Sequence, residues 1–182
     1  LILEGLHTLF TPTLREYLDF TLFVDPEREV KYDWKLRRDM ANRGYSKDAV
    51  RKEIADREPE YERYIAPQKE YADAVIGIGY SEYGKDLGKG RNVYCVSLSQ
   101  HRMKHTIENI DLSLDLYSIL SLSERNFALK FQTCGEGGDR LGELIIDGEL
   151  SAHVVNKLEH SIEVQTRVRP ISIFRQRQYV TA

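Results

Sequence analysis

Phe20-Thr21-Leu22-Phe23-Val24-Asp25-Pro26 is a short apolar run closed by an acid and a proline, and a densely charged segment continues from it to Gly44. The run reads as a strand over Phe20 to Val24. The charged segment reads as a helix that Asp25-Pro26 caps and Gly44 stops in a left-handed turn. Ala74 to Ile78 is a second run of the same kind, held between Asp73 and Gly79. Leu1-Ile2-Leu3 is a third, ending at Glu4-Gly5, and reads as a strand buried on both faces. Between these runs, Pro12 or Thr13 opens a short helix through Leu18. Ser46 caps another, with Asp48 in its positive first turn and Pro59 at its end, because a proline ring cannot continue the hydrogen-bond ladder. A further short helix carries Tyr61, Tyr64 and Ile65. Apolar strands alternating with amphipathic helices predict an α/β fold with helices packed around a parallel sheet.

Beyond Ile78 the pattern changes. Gly79, Gly84, Gly88 and Gly90 interrupt a polar stretch, and Asn92 to Ser99 then alternates like a half-exposed strand. Phe127 to Thr133 and Leu141 to Ile146 read as a strand pair, and Ser151 to His160 as a helix. The period of Ile110 to Leu122 fits helix and strand equally. The expected division is residues 1–79 as an α/β unit and residues 80–182 as a smaller mixed α+β unit.

Composition narrows the function classes. With 182 residues, 41% hydrophobic and 30% charged, the chain is sized for one or two globular units and is neither disordered nor a coiled coil. The formal net charge of −3 provides no global positive field for nucleic acid, so any anion site has to be local. No apolar run approaches a membrane span and no basic-then-apolar leader opens the chain, so the expected setting is the cytoplasm, without a membrane partner. Cys95 and Cys134 form no CxxC pair and read as reduced thiols. Leu1 is not a start methionine and sits in what reads as a strand already under way, so the chain is expected to be a fragment of a longer protein.

The densest charge pattern is Lys35-Leu36-Arg37-Arg38-Asp39-Met40-Ala41-Asn42-Arg43-Gly44. At helical spacing Lys31, Lys35, Arg38, Asp39 and Asn42 share one stripe, and Val30, Trp34 and Ala41 another. From Lys31 to Lys52 eight Lys or Arg stand against three Asp, whereas Glu53 to Asp73 carries seven acids against three bases. Arg and Lys in such a cluster suit phosphate, since a guanidinium grips two oxygens and an ammonium acts as a point charge. A solvated helix face with local ion pairs is the plainer alternative. Glu4, with Gly5 and His7 after it, stands where α/β folds place ligands, at the carboxyl edge of the sheet, and its carboxylate suits Mg²⁺ or the orientation of a nucleophile.

Other patterns fall short of chemistry. Gly84 to Gly90 is one residue too short between its glycines for a phosphate loop and has Gly90 in place of Ser or Thr, so it reads as a hairpin loop. Gly135 to Arg140 reads as a turn between strands. His101 and His105 are spaced to share a helix face but lack a third ligand. No G-x-S-x-G elbow is present. Arg167, Arg169, Arg175 and Arg177 give the last stretch a basic bias that fits an interface or a solvated edge.

Three strings occur in the same order as in the phosphoribulokinase and uridine kinase family: Leu3-Glu4-Gly5-Leu6-His7, Arg38-Asp39-Met40-Ala41-Asn42-Arg43-Gly44, and Tyr64-Ile65-Ala66-Pro67-Gln68-Lys69-Glu70-Tyr71-Ala72-Asp73. The chain resembles the phosphoribulokinase branch over about Leu1 to Ile78, and the middle string is the most specific. The resemblance implies a partial P-loop NTPase-type sheet, with residues 1–79 as the C-terminal half of the kinase domain. Residues 80–182 would be a family-specific extension that contributes to a homodimer. It implies transfer of the γ-phosphoryl group of ATP, with Mg²⁺, to ribulose 5-phosphate, giving ribulose 1,5-bisphosphate in carbon fixation or pentose-bisphosphate metabolism. By position, Glu4 matches the family's Walker-B-type acid near Mg²⁺, Asp39 an active-site aspartate, and Lys35 a lysine that stabilises the transferring phosphoryl group. Arg38 matches an active-site arginine and Arg43 one tied to the sugar phosphate, while His7 lies beside the site. The family's P-loop and catalytic-base aspartate are expected before Leu1, so the fragment alone is expected to be inactive. The alternatives are a uridine or nucleoside kinase, with the same reaction on another acceptor, and a non-catalytic binding or assembly module.

Overall fold

The computed structural model describes residues 1–84, 93–101, 127–132, 140–149 and 152–169. Strand β1 (Leu22–Pro26) lies parallel to β2 (Ala74–Tyr80), in a register that sets Leu22 beside Ala74 and Pro26 beside Ile78. Parallel neighbours need a crossover, and here it consists of two helices followed by a π and a 3-10 turn. The α/β class expected from the sequence is the observed one. A five-stranded sheet has the order β1-β2-β3-β5-β4, with β3 at Tyr94–His101, β4 at Phe127–Gln132 and β5 at Arg140–Gly148.

The start of the β1–β2 pair is fixed by a clamp. Thr21 donates its N–H (2.8 Å) and its hydroxyl (2.6 Å) to Oδ2 of Asp73, and the Asp73 N–H donates to Thr21 Oγ1 at 2.9 Å. The N–H groups of Asp73 and Ala74 also donate to the Thr21 carbonyl, each at 3.1 Å. This clamp explains why β1 begins two residues later than expected: Thr21 is committed to Asp73, and ladder pairing starts only at Leu22. It also explains why Asp25-Pro26 closes the strand instead of capping the next helix. Glu27 takes the N-cap position without a side-chain cap bond, and its N–H donates to the Ile78 carbonyl at 2.8 Å. Proline is tolerated at the end of an edge strand because it has no N–H to contribute to the ladder.

The short helix α1 (Pro12–Arg15) ends three residues before the expected Leu18. Helix α2 (Arg28–Arg43) stops where the sequence predicts, at Gly44 with φ +68°, and the Gly44 N–H donates to the Asp39 carbonyl. A left-handed residue at this position favours glycine because a Cβ would crowd its own backbone. Helix α3 (Lys47–Glu60) starts on Ser46, whose Oγ accepts from the Ala49 N–H at 3.3 Å. Pro59 lies inside the last turn of α3 and does not end the helix abruptly. The backbone widens into a π turn (Tyr61–Ile65), closed by the Ala66 N–H on the Tyr61 carbonyl, and then tightens into a 3-10 turn (Ala66–Tyr71). Lacking an N–H, the proline removes one α-type bond, and the chain recovers with longer-range pairing.

Leu1 to Leu3 form no strand and lie exposed. A run buried on both faces requires a partner on each side, and among the described residues this run pairs with none. His101 closes β3 and so stands on a strand, not on the helix face expected for it with His105. The expected loops at 84–90 and 135–140 lie outside the described residues except at Gly84 and Arg140, and the segment 110–122, Asn92, Cys134, His105, Arg175 and Arg177 lie wholly outside them. Cys95 forms no disulfide among the described residues.

The described residues pack as two compact units, one of residues 1–79, 96–101, 130–132 and 140–145, the other of 80–84, 93–95, 127–129, 146–149 and 152–169. In the first, Leu9, Ala72 and Val75 form a buried cluster with Leu18 and Phe23 against it, and Val30, Val50 and Ile54 are buried on α2 and α3. At Gly79 a Cβ would sit 2.8 Å from the Glu27 carboxyl, so the sheet passes directly beneath that side chain. In the second unit Tyr80 stacks on Tyr94 at 5.9 Å, and helix α4 (Ala152–Thr166) buries Val154.

Gln68 braces the segment after Glu4. Its Nε2 donates to the carbonyls of Leu6 (2.9 Å) and Tyr64 (2.7 Å), and its Oε1 accepts from the Leu9 N–H at 3.0 Å. The side chain is buried, so removing it leaves three backbone groups to find other partners. Gln68→Leu is expected to destabilise the fold by about 2–4 kcal/mol, read as a lower urea midpoint at unchanged slope. An unchanged midpoint would show that the brace is not needed.

Candidate functional site

Helix α2 carries the candidate site on its C-terminal half. Lys35, Asp39 and Arg43 succeed one another at four-residue spacing, which stacks them on one face, and Arg38 adjoins. Oδ1 of Asp39 accepts from Arg38 Nε at 2.8 Å and lies 3.4 Å from Arg43 Nη1. The carboxylate is fully buried while both arginine side chains are about half exposed, at 54% and 53%. The buried residues of α2 are therefore Val30 and Asp39; Trp34 and Ala41, the other stripe in the sequence, lie exposed.

A buried charge has to be neutralised locally or give way to the uncharged form. The hydrogen bond from Arg38 holds the Asp39 carboxyl below the usual carboxylate range against the opposing effect of burial, and the charges of Arg38, Arg43 and Lys35 add to it. In return, the same bond raises Arg38 above its ordinary value. Oδ2 of Asp39 is buried and has no hydrogen-bond partner among the described residues. Arg43 closes the last turn of the helix, where a cation also meets the negative end of the helix dipole. The arrangement is a pair of guanidinium groups fixed from below by one acid and open above, which suits a phosphate group.

Lys35 reaches across to α3. Its Nζ lies 3.2 Å from Glu53 Oε1, which also lies 3.3 Å from Arg57 Nε. Glu53 was not among the candidates read from the sequence, because a contact between two helices leaves no local pattern. A second charged group joins the same helices: Tyr32 donates to Glu58 at 2.7 Å, Arg28 donates to the Tyr32 hydroxyl at 2.7 Å, and Lys31 Nζ stands 3.4 Å from the Tyr61 ring centre. Burial, then the Glu58 bond, pushes the Tyr32 hydroxyl up. At the carboxyl end of β1, Lys69 pairs with Asp25.

Glu4 and His7 lie apart from this cluster in bonding terms. Glu4 is exposed and belongs to no regular element, and the turn after it carries His7 edge-on to Phe10 at 5.8 Å. No hydrogen bond or ion pair among the described residues joins either one to Lys35, Arg38, Asp39 or Arg43. No group of three His, Cys, Asp or Glu side chains that could hold a metal gathers among the described residues. A single exposed carboxylate fits Mg²⁺ of the kind that keeps most of its waters and takes its other ligands from a nucleotide, and Glu4 is such a carboxylate.

The lowered Asp39 value has a direct consequence. Because its folded value lies below its unfolded one, the group stabilises the fold at pH above the unfolded value and this contribution fades as pH falls through the folded value. Asp39→Asn keeps the shape and removes the charge, so its destabilisation relative to wild type should be largest above about pH 5 and shrink below about pH 4. Denaturant melts of both proteins at a series of pH values test this, and a difference independent of pH would refute it.

The same segment matches known proteins. Residues 1–82 match the model of the Phosphoribulokinase / Uridine kinase family. A chloroplastic phosphoribulokinase of Mesembryanthemum crystallinum is 47% identical over 78 residues, which cover 43% of this chain and 20% of that protein. A phosphoribulokinase of Synechocystis is 44% identical over 77 residues, covering 42% of this chain and 23% of that protein. A uridine kinase of Lactobacillus helveticus is 35% identical over 80 residues, 43% of this chain and 38% of that protein. The chain thus spans about a fifth of the length of the phosphoribulokinases it matches. Lys35, Arg38, Asp39 and Arg43 all fall inside the segment, residues 1–82, that matches the phosphoribulokinase and uridine kinase family.

Proposed function

We propose that the full-length protein transfers the γ-phosphoryl group of ATP, with Mg²⁺, to ribulose 5-phosphate. The observation that carries this reading is the Arg38–Asp39–Arg43 arrangement, two half-exposed guanidinium groups fixed on one buried carboxylate. Ribulose 5-phosphate brings its own phosphate to the site and needs such a receptor, whereas uridine brings none. Higher identity to phosphoribulokinases than to the uridine kinase points the same way.

In this reading Arg43, with Arg38, holds the acceptor phosphate, and the Lys35 ammonium offsets charge on the phosphoryl group in flight. Phosphoryl transfer leaves little covalent work to the protein, so positioning and charge neutralisation carry the rate. Glu4 supports Mg²⁺, which supplies further charge neutralisation at the nucleotide phosphates, and Asp39 keeps the two arginines in place. His7 flanks the acceptor. The cytoplasm and the homodimer expected from the sequence belong to the same reading. No described helix is long and apolar enough to cross a membrane, and the Mesembryanthemum relative is named chloroplastic.

Uridine kinase is the second reading, favoured by the 35% identity over 80 residues to the Lactobacillus enzyme. ADP release by the full-length protein with ATP and Mg²⁺, offered ribulose 5-phosphate and uridine in parallel, separates the two. Activity with the sugar phosphate alone is expected; activity with uridine alone would transfer the proposal to the nucleoside.

Two substitutions extend the test. Arg43→Ala is expected to raise KM for ribulose 5-phosphate by roughly tenfold or more, while KM for ATP moves little, as for loss of one charged hydrogen bond. An equal rise for both substrates would remove Arg43 from the acceptor site. Lys35→Met is expected to lower kcat by about a hundredfold or more, since the lysine would act on charge that develops in the transition state. Unchanged kcat in a folded variant would take Lys35 out of the reaction.

A further inference from the structure

We propose that Glu53 of α3 is a positioning residue that fixes the ammonium group of Lys35, an inference that rests on the kinase reading above and adds to it a residue from the opposite helix. Lys35 Nζ and Glu53 Oε1 are 3.2 Å apart, and their side chains are 20% and 32% exposed, so the pair is sheltered from bulk water more than a typical surface ion pair. Helices α2 and α3 pack on each other and bury Val30 on the first and Val50 and Ile54 on the second, and Ile54 is the direct neighbour of Glu53 in the chain. The carboxylate is therefore presented by a packed backbone.

A lysine stem has four rotatable carbons and loses substantial rotamer freedom when its head is confined. If that freedom is lost before the phosphoryl group arrives, the reaction does not have to supply the ordering. Glu53 does this without cancelling the site's positive charge, because the same oxygen is shared with Arg57 Nε at 3.3 Å, one carboxylate against two cations. Its field also reaches Arg38, adding a minor part to the upward shift that the Asp39 bond mainly causes. Lys31, one turn earlier, differs: it stands against the Tyr61 ring at 3.4 Å and 3.9 Å from Glu58, a packing position. The two acids thus act on different cations, since Asp39 sets the two arginines within α2 and Glu53 sets the lysine across the helix pair.

Glu53→Gln keeps the shape and the acceptor oxygen and removes the charge. In the full-length protein kcat is expected to fall roughly ten- to a hundredfold, with KM for ATP and for the acceptor nearly unchanged, as for a displaced catalytic group. In a Lys35→Met background the same change should have no further effect on kcat, because the group it positions is gone. A general structural weakening would instead lower both backgrounds by the same factor, and that result would overturn the proposal, as would a Glu53→Gln protein with wild-type kcat. A second measurement is independent of turnover: competitive acetylation by acetic anhydride, read by mass spectrometry, with exposed Lys47 and Lys52 as references. Lys35 should label several-fold faster in Glu53→Gln than in the wild type, and equal labelling would overturn the proposal. Faster labelling in a full-length protein that phosphorylates neither acceptor would leave Glu53 as the group that fixes Lys35 and refute the kinase reading alone.

Discussion

Parallel pairing of β1 with β2 is the constraint from which the rest of the first unit derives. Two parallel strands cannot be joined by a tight turn, so the chain has to leave the end of β1, travel the length of the sheet and return to the start of β2. That return is made by α2, α3 and the two turns after them, and it puts the first residues of α2 beside the carboxyl edge, where α/β folds bind ligands. The Thr21–Asp73 clamp fixes where the ladder begins, with an acid and a hydroxyl exchanging bonds at 2.6 and 2.9 Å. Since a one-residue slip would turn every strand side chain to the other face, the clamp also decides that Phe23 faces the Leu9, Ala72 and Val75 cluster.

Within that frame the costly element is the buried Asp39 carboxylate. Removing an ion from water is unfavourable, and a buried ion pair is weak evidence for net stability, since apolar residues of similar size often do as well. Its value here is geometric. With Arg38 and Arg43 both on Oδ1, two long side chains that would otherwise repel one another and sample many rotamers are brought to one place, with their outer faces left to solvent. Gly44 contributes by ending the helix in a left-handed turn directly after Arg43, so the guanidinium stands at a helix terminus, not on a continuous wall.

Much of this was legible in the sequence wherever the signal was local. The helix from Arg28 to Arg43, its Gly44 stop and the Ser46 cap are each written within a few residues, and the structure agrees with them. Lys35, Arg38 and Asp39 were legible as part of one stripe for the same reason, whereas Arg43 entered through the resemblance and not through the stripe. Misreadings arose where a distant partner decides. Leu1 to Leu3 have the composition of a buried strand but no described neighbour to pair with; β1 starts late because Asp73 claims Thr21; and Pro59 is absorbed by a π turn whose closing bond lies beyond it. Gln68 was visible only as one letter of a motif, since its three partners sit on the Leu6–Leu9 segment and at Tyr64.

The partition of charge along the chain had two readings, a solvated face or a site, and the fold gives it a third meaning. The basic stretch from Lys31 to Lys52 and the acidic one from Glu53 onward are brought into pairs where α2 packs on α3: Lys31 meets Glu58, and Lys35 meets Glu53. Partly exposed pairs of this kind contribute at most about 1 kcal/mol each, less than the burial of a single apolar side chain such as Val30, Val50 or Ile54 on the same helices. What the pairs do instead is choose. They leave Lys31 occupied against Tyr61, turn Lys35 toward the α3 acid, and leave Arg38 and Arg43 facing outward on Asp39. A helix with cations all along one face would bind any anion loosely; a helix whose cations are divided among three acids, Glu58 for Lys31, Glu53 for Lys35 and Asp39 for the two arginines, presents a fixed arrangement, and a fixed arrangement is what positions a phosphoryl group.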